Sequence, residues 1–199
     1  MEKEKFFSTR RITWLAILLA LVITLQSLSG FMVVGGVEIN LTLVPVVLGA
    51  MILGPACGAI IGFVSGVVTL LFGIFGWAAL TSAMFNYSPI LTSLICLSKC
   101  TLAGFVGGLI YNLVKKKNKY VSTFVTSAIV PFINTTIFVI GACFFKQVFV
   151  EFKLAESSQF ILWAILGLIA VNFIVELAIN LILAPAIFRV SEIVEKKSY

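Results

Sequence analysis

Along 199 residues, long apolar runs follow one another with almost no charge inside them. Sixty-one per cent of the chain is hydrophobic and only 11% is charged. A soluble globular domain carries about 25% charged residues, so this chain cannot cover a water-facing surface. A bilayer core takes roughly 20 residues per helix, and the runs are of that size. The sequence therefore predicts an all-α integral membrane protein, a single domain over 1–199 built as a six-transmembrane-helix bundle.

The first predicted span covers 12–28 and ends at Ser29-Gly30; a loop with Gly35-Gly36 follows. The second covers 39–53 with Pro45 inside it, tolerable where neighbours re-satisfy the freed carbonyl. Gly54-Pro55 marks a tight turn. The third covers 57–75, where Gly58, Gly62 and Gly66 form a small-residue stripe that lets another backbone approach closely. Residues 76–91, with Asn86, Tyr87 and Pro89, read as a partly ordered loop. The fourth span covers 92–114, with Gly104 and Gly108 as a second close-packing pair, the fifth 121–145 around Pro131, and the sixth 159–190.

Charge sets the orientation. Lys3, Lys5, Arg10, Arg11, four lysines in Lys115–Lys119, and Arg189, Lys196 and Lys197 fall on one side of this topology. Only Lys146 and Lys153 fall on the other. Excess Lys/Arg marks cytoplasmic loops, so both termini are expected in the cytoplasm. The formal net charge of +6 does not indicate nucleic acid, because the bases sit in short clusters between spans. The N-terminus could mimic a signal peptide, but the first run is too long and lacks a small-residue cleavage site; a retained first helix is expected.

Two ionisable residues, Lys99 and Glu176, stand inside apolar runs. Such residues are costly at membrane depth and mark cavities, partners or substrates. Counted from the outer ends of their spans at 1.5 Å per residue, Lys99 lies about 10 Å deep, Asn134 about 15 Å, Asn172 about 20 Å and Glu176 about 25 Å. Asn172, Glu176 and Asn180 share one helix face. They either line a site or fasten helices together, as polar residues do across membrane interfaces. Glu176 is deep for a site open to the outside, with Arg189 or a backbone donor as its partner. Lys99 either snorkels outward or faces a pocket, where it would meet an anionic ligand. Glu38 and Asn40 could add polar contacts from a lid.

Enzyme chemistry is disfavoured. Histidine is absent, which removes the commonest proton shuttle and metal ligand. No Walker-type loop or paired aspartates appear, so ATP hydrolysis belongs to other subunits. Cys57, Cys96, Cys100 and Cys143 lack companions for a metal site and read as small buried hydrophobes. No cofactor is expected. A non-transport envelope scaffold and a solitary secondary carrier are the competing functions; the second would show an internal repeat with broken helices, which is not found.

Trp14-Leu15-Ala16-Ile17-Leu18-Leu19-Ala20 carries an A-x-x-x-A pair in the first span. Val37–Pro45 leading to Leu53–Ala59, and Val130–Phe138, add to it. With six spans and about 200 residues, the chain resembles the substrate-binding (S) components of energy-coupling factor (ECF) vitamin transporters. The resemblance implies a bacterial cell membrane protein of the ABC importer class that captures a vitamin outside. Its partners would be a transmembrane coupling subunit and two ATPase subunits. Ala16 and Ala20 match the coupling face. Lys99, Asn134 and Asn172 fall in the family's pocket region, and Glu38 and Asn40 at its cap. The sequence is most similar to pantothenate members, whose ligand's carboxylate would suit Lys99. Folate, stacked on Trp77, Phe85, Tyr87 or Trp163, and riboflavin come next.

Overall fold

The computed structural model describes residues 9–30, 33–34, 37–145, 148 and 161–196. Within them lie seven α-helices: α1 (Thr9–Ser29), α2 (Leu43–Ile52), α3 (Pro55–Ile74), α4 (Ala79–Tyr87), α5 (Pro89–Val114), α6 (Lys119–Ala142) and α7 (Ile161–Lys196). A 3-10 turn, Cys143–Phe145, ends α6. Five of the helices, α1, α3, α5, α6 and α7, are long and apolar enough to cross a membrane.

Where a full second span was expected, the structure has the ten-residue α2. At 1.5 Å per residue it is about 15 Å long, half of a ~30 Å hydrocarbon core. The reason is local. Ser29 Oγ accepts from the Leu41 backbone N–H at 3.2 Å, and Asn40 Oδ1 accepts from the Thr42 N–H at 3.2 Å. Side-chain bonds of this kind offer the backbone an alternative to helix, so 39–42 form a connector instead. At the other end Gly54 sits at φ +91° before Pro55, a conformation glycine adopts at no steric cost. Seven of the ten α2 residues are buried, as suits a helix apolar on all sides.

Two further departures are local. Val33–Val34 and Val37–Glu38 pair as antiparallel strands in the first loop, Val33 opposite Glu38. The stretch read as a partly ordered loop contains α4, which buries Leu80 and Met84, one helical turn apart. Pro89, read there as a loop signal, instead opens α5, where its missing N–H costs nothing.

The rigid centre is the α3–α5 pair. A Cβ on Gly58 would meet the Gly104 carbonyl oxygen at 2.7 Å. Gly62 presses on Cys100, Gly66 on Cys96, and Gly108 on Pro55. The pairing of 58 with 104, 62 with 100 and 66 with 96 defines an antiparallel seam in which the two small-residue stripes meet at Gly58 and Gly104. Close backbone approach of this kind supplies van der Waals packing where lipid removes the hydrophobic drive between helices.

Candidate functional site

The seam fixes the rotation of α5. With Cys100 locked against Gly62, the neighbouring Lys99 is turned toward α6 and α7. There it lines a cavity of about 60 Å³ together with Gln26, Asn40, Thr69, Asn134, Asn172 and Glu176. A cavity of that size holds a few waters and is well below the roughly 300–1,000 Å³ of ligand pockets in general. Lys99 Nζ stands 5.1 Å from the centroid of Phe138, a cation–π distance. Phe138 lines the same cavity. Of the two orientations open to Lys99, the structure has the one that faces inward.

Glu176 organises the opposite wall. It is 2% exposed. Its Oε1 accepts from the Asn40 backbone N–H at 2.9 Å and from Asn172 Nδ2 at 3.2 Å. Its backbone carbonyl accepts from Asn180 Nδ2 at 2.9 Å. The backbone-donor partner is thus realised, through a residue 136 positions away in the chain. Glu176, counted as deep for a site open to the outside, lines the same cavity as Lys99 and Asn134. Helix α7 has 36 residues, about 54 Å at 1.5 Å each, so it must tilt or project beyond a ~30 Å core.

Asn134 is also held: its Oδ1 accepts from Cys100 Sγ at 3.4 Å. Thr69 Oγ1 lies 3.3 Å from Gln26 Oε1, which ties α3 to α1 beside the cavity. The sequence reading did not include Gln26 or Thr69. Each is a polar residue within an apolar run and buried, and that was the available signal. Tyr87 is not brought to the cavity; it is exposed and packs on Phe145 at 5.8 Å between centroids. The side chains of Glu38 and Trp163 lie outside the described set, although Glu38 pairs in the β ladder through its backbone. Ala16 and Ala20 are on the outer face of α1, away from the buried Leu18 and Val22.

A helical membrane bundle, with a polar cavity walled by helices from both halves of the chain, is the form of a membrane binding protein. The family model described as "ECF transporter, substrate-specific component" matches residues 10–188. The chain belongs to that family. A comparison with curated proteins gives no match. ECF S components are substrate-binding membrane subunits rather than enzymes, and they work with a membrane coupling subunit and ATPases. In this S component the matched region includes all of the cavity residues named above, from Gln26 to Glu176.

What the arrangement offers chemically is a fixed cation on α5, a fixed carboxylate on α7, and amide and hydroxyl groups between them. Among the described lining residues Phe138 is the one aromatic side chain. Such a site suits a ligand recognised by charge and hydrogen bonds more than one sandwiched between rings.

Proposed function

We propose that this S component captures a water-soluble vitamin from outside the cell and hands it inward through an ATP-driven coupling module. Pantothenate is the first candidate. The observation that carries the reading is the inward position of Lys99, over Phe138 and within a cavity rimmed by Gln26, Asn40, Asn134 and Asn172. In low dielectric an ammonium–carboxylate contact is worth more than in water. Pantothenate has one carboxylate and several hydroxyl and amide groups, which match a cation surrounded by amides. Folate and riboflavin rank below it because their flat rings call for stacking platforms, and only Phe138 is available among the described lining residues.

The remaining assignments follow the same reading. Excess Lys/Arg at the termini and in Lys115–Lys119 orients both ends toward the cytoplasm of a bacterial cell. Lys99 takes the carboxylate, while Asn40, Asn134 and Asn172 contact the rest of the ligand. Ala16 and Ala20 present small side chains to the coupling subunit, and their exposure supports this. Because the cavity is about 60 Å³, ligand entry must widen it. A scaffold protein would gain nothing from a cation turned into a cavity within the membrane, given its cost.

A thermal-shift screen of the B vitamins on detergent-solubilised protein tests the proposal, with calorimetry on any vitamin that stabilises it. Pantothenate should raise the melting temperature without ATP. Binding to the folded state stabilises by about 2.7 kcal/mol at a hundred times Kd, a shift large enough to read. A flat response to the whole panel would overturn the capture reading.

A further inference from the structure

We infer that Glu176 is a second recognition point in the cavity, opposite in character to Lys99, which receives hydrogen-bond donors from the substrate. The inference rests on the vitamin-capture reading and narrows it. The substrate class becomes a small organic anion that carries hydroxyl groups away from its anionic end.

Two buried acceptors carry the argument. Glu176 Oε1 is occupied by the Asn40 N–H and Asn172 Nδ2, so the carboxylate is held in one orientation. Its other oxygen, Oε2, is buried with no hydrogen-bond partner, and so is Asn172 Oδ1. Both residues line the cavity, one helical turn apart on the same face of α7. A buried acceptor left without a donor is costly, whereas one that meets its donor is not. Groups used only to fasten helices would have their partners on the neighbouring helix. Here Oε1 does that work through Asn40, and Oε2 and Asn172 Oδ1 are left without a donor in two residues that line the cavity. A carboxylate and an amide oxygen accept only, so their complement is a donor.

Glu176→Gln separates the roles. A glutamine oxygen keeps the Asn40 and Asn172 contacts, while its NH2 replaces Oε2 and turns an acceptor into a donor. Calorimetry would use pantothenate, its alcohol analogue panthenol, and an analogue lacking both hydroxyls. Glu176→Gln should weaken pantothenate and panthenol alike, by at least about tenfold, and change the hydroxyl-free analogue less than twofold. Unchanged pantothenate affinity, or equal loss for all three, would overturn the assignment while leaving vitamin capture standing. Should Glu176→Gln fail to fold, Asn172→Ala removes the second acceptor and leaves the Asn40 contact; it should cost pantothenate about fivefold, and no loss would overturn the assignment. If the wild type prefers another B vitamin, one with a donor opposite its anion supports the assignment and one without overturns it. If no B vitamin binds the wild type, capture itself fails and Glu176 with it.

Discussion

The α3–α5 seam and the cavity beside it are built on opposite principles. Along the seam, glycines bring backbones together until the gap is filled, and a Cβ at Gly58, Gly62, Gly66, Gly104 or Gly108 would collide with the other side. Around the cavity, polar groups are buried but incompletely paired, with Glu176 Oε2 and Asn172 Oδ1 left over. Seams of the first kind resist movement because close-packed interiors transmit strain and tolerate little change in volume. Regions of the second kind give up stability and gain the ability to meet a ligand. The contrast places the immovable wall of the site on α5 and its adaptable wall on α7 and the 39–42 connector.

The largest expected effect comes from spoiling the seam. Gly62→Val would drive a branched side chain into the Cys100 backbone, where no flexible side chain can yield. Overpacking costs about 1–3 kcal/mol and sometimes more. For a chain of this length that is a fall of roughly 2–12 °C in melting temperature, and binding should be lost with it because Lys99 is positioned by the same contact. Thermal unfolding in detergent measures the first part and calorimetry the second. A melting temperature within about 2 °C of wild type would mean that the seam is not the fixed wall.

Lys99→Met should act mainly on affinity. The apolar stem over Phe138 is kept and the charge is removed. Hydrogen bonds to charged groups contribute about 1.5–3 kcal/mol, so affinity for an anionic vitamin should fall about ten- to a hundredfold. The melting temperature should fall less than in Gly62→Val, the remaining loss coming from the contacts that Lys99 makes with Phe138 and with the charge of Glu176. Loss of stability without loss of affinity would return Lys99 to a structural role and erase the contrast between the two regions.

Thr69→Val sharpens the boundary between them. Thr69 sits on α3, as the seam does, but its hydroxyl reaches Gln26 on α1 at the cavity edge. A single neutral hydrogen bond contributes about 1 kcal/mol. A fall of roughly 2–4 °C in melting temperature with a small change in affinity is expected, measured on the same two instruments. A collapse like that of Gly62→Val would show that the seam extends to this end of α3.

The glycine spacing at 58, 62 and 66 and at 104 and 108 was enough to expect close helix contact, because small residues four apart have one dominant use in lipid. That Gly58 meets Gly104 while Gly62 and Gly66 meet Cys100 and Cys96 is a tertiary fact that spacing does not carry. The second span is shorter in helix than hydropathy suggests: Ser29 and Asn40 hold 39–42 as a connector and α2 covers Leu43–Ile52, yet the segment bonds to Ser29 at one end of α1 and to Arg11 at the other. In the site, Lys99, Asn134 and Asn172 were legible as polar residues in apolar runs. The place of Glu176 in the cavity was not legible, because its bond to Asn40 joins segments 136 residues apart. Tyr87 was offered on aromatic character alone, which does not give direction.

The smallest effect on fold and binding is expected at Ala16 and Ala20, and for that reason they test something the other variants cannot. Both are exposed on α1 and belong to neither region. Tryptophan at either position adds bulk facing away from the bundle core, so melting temperature and vitamin affinity should match wild type. Uptake in cells should nevertheless be abolished if this face meets the coupling subunit, because interfaces of small residues work through backbone proximity that an indole prevents. Radiolabelled vitamin uptake, compared with binding to the purified S component, reads the difference directly. Transport that survives both Ala16→Trp and Ala20→Trp would move the coupling surface elsewhere on the bundle, while leaving the distinction between seam and cavity untouched.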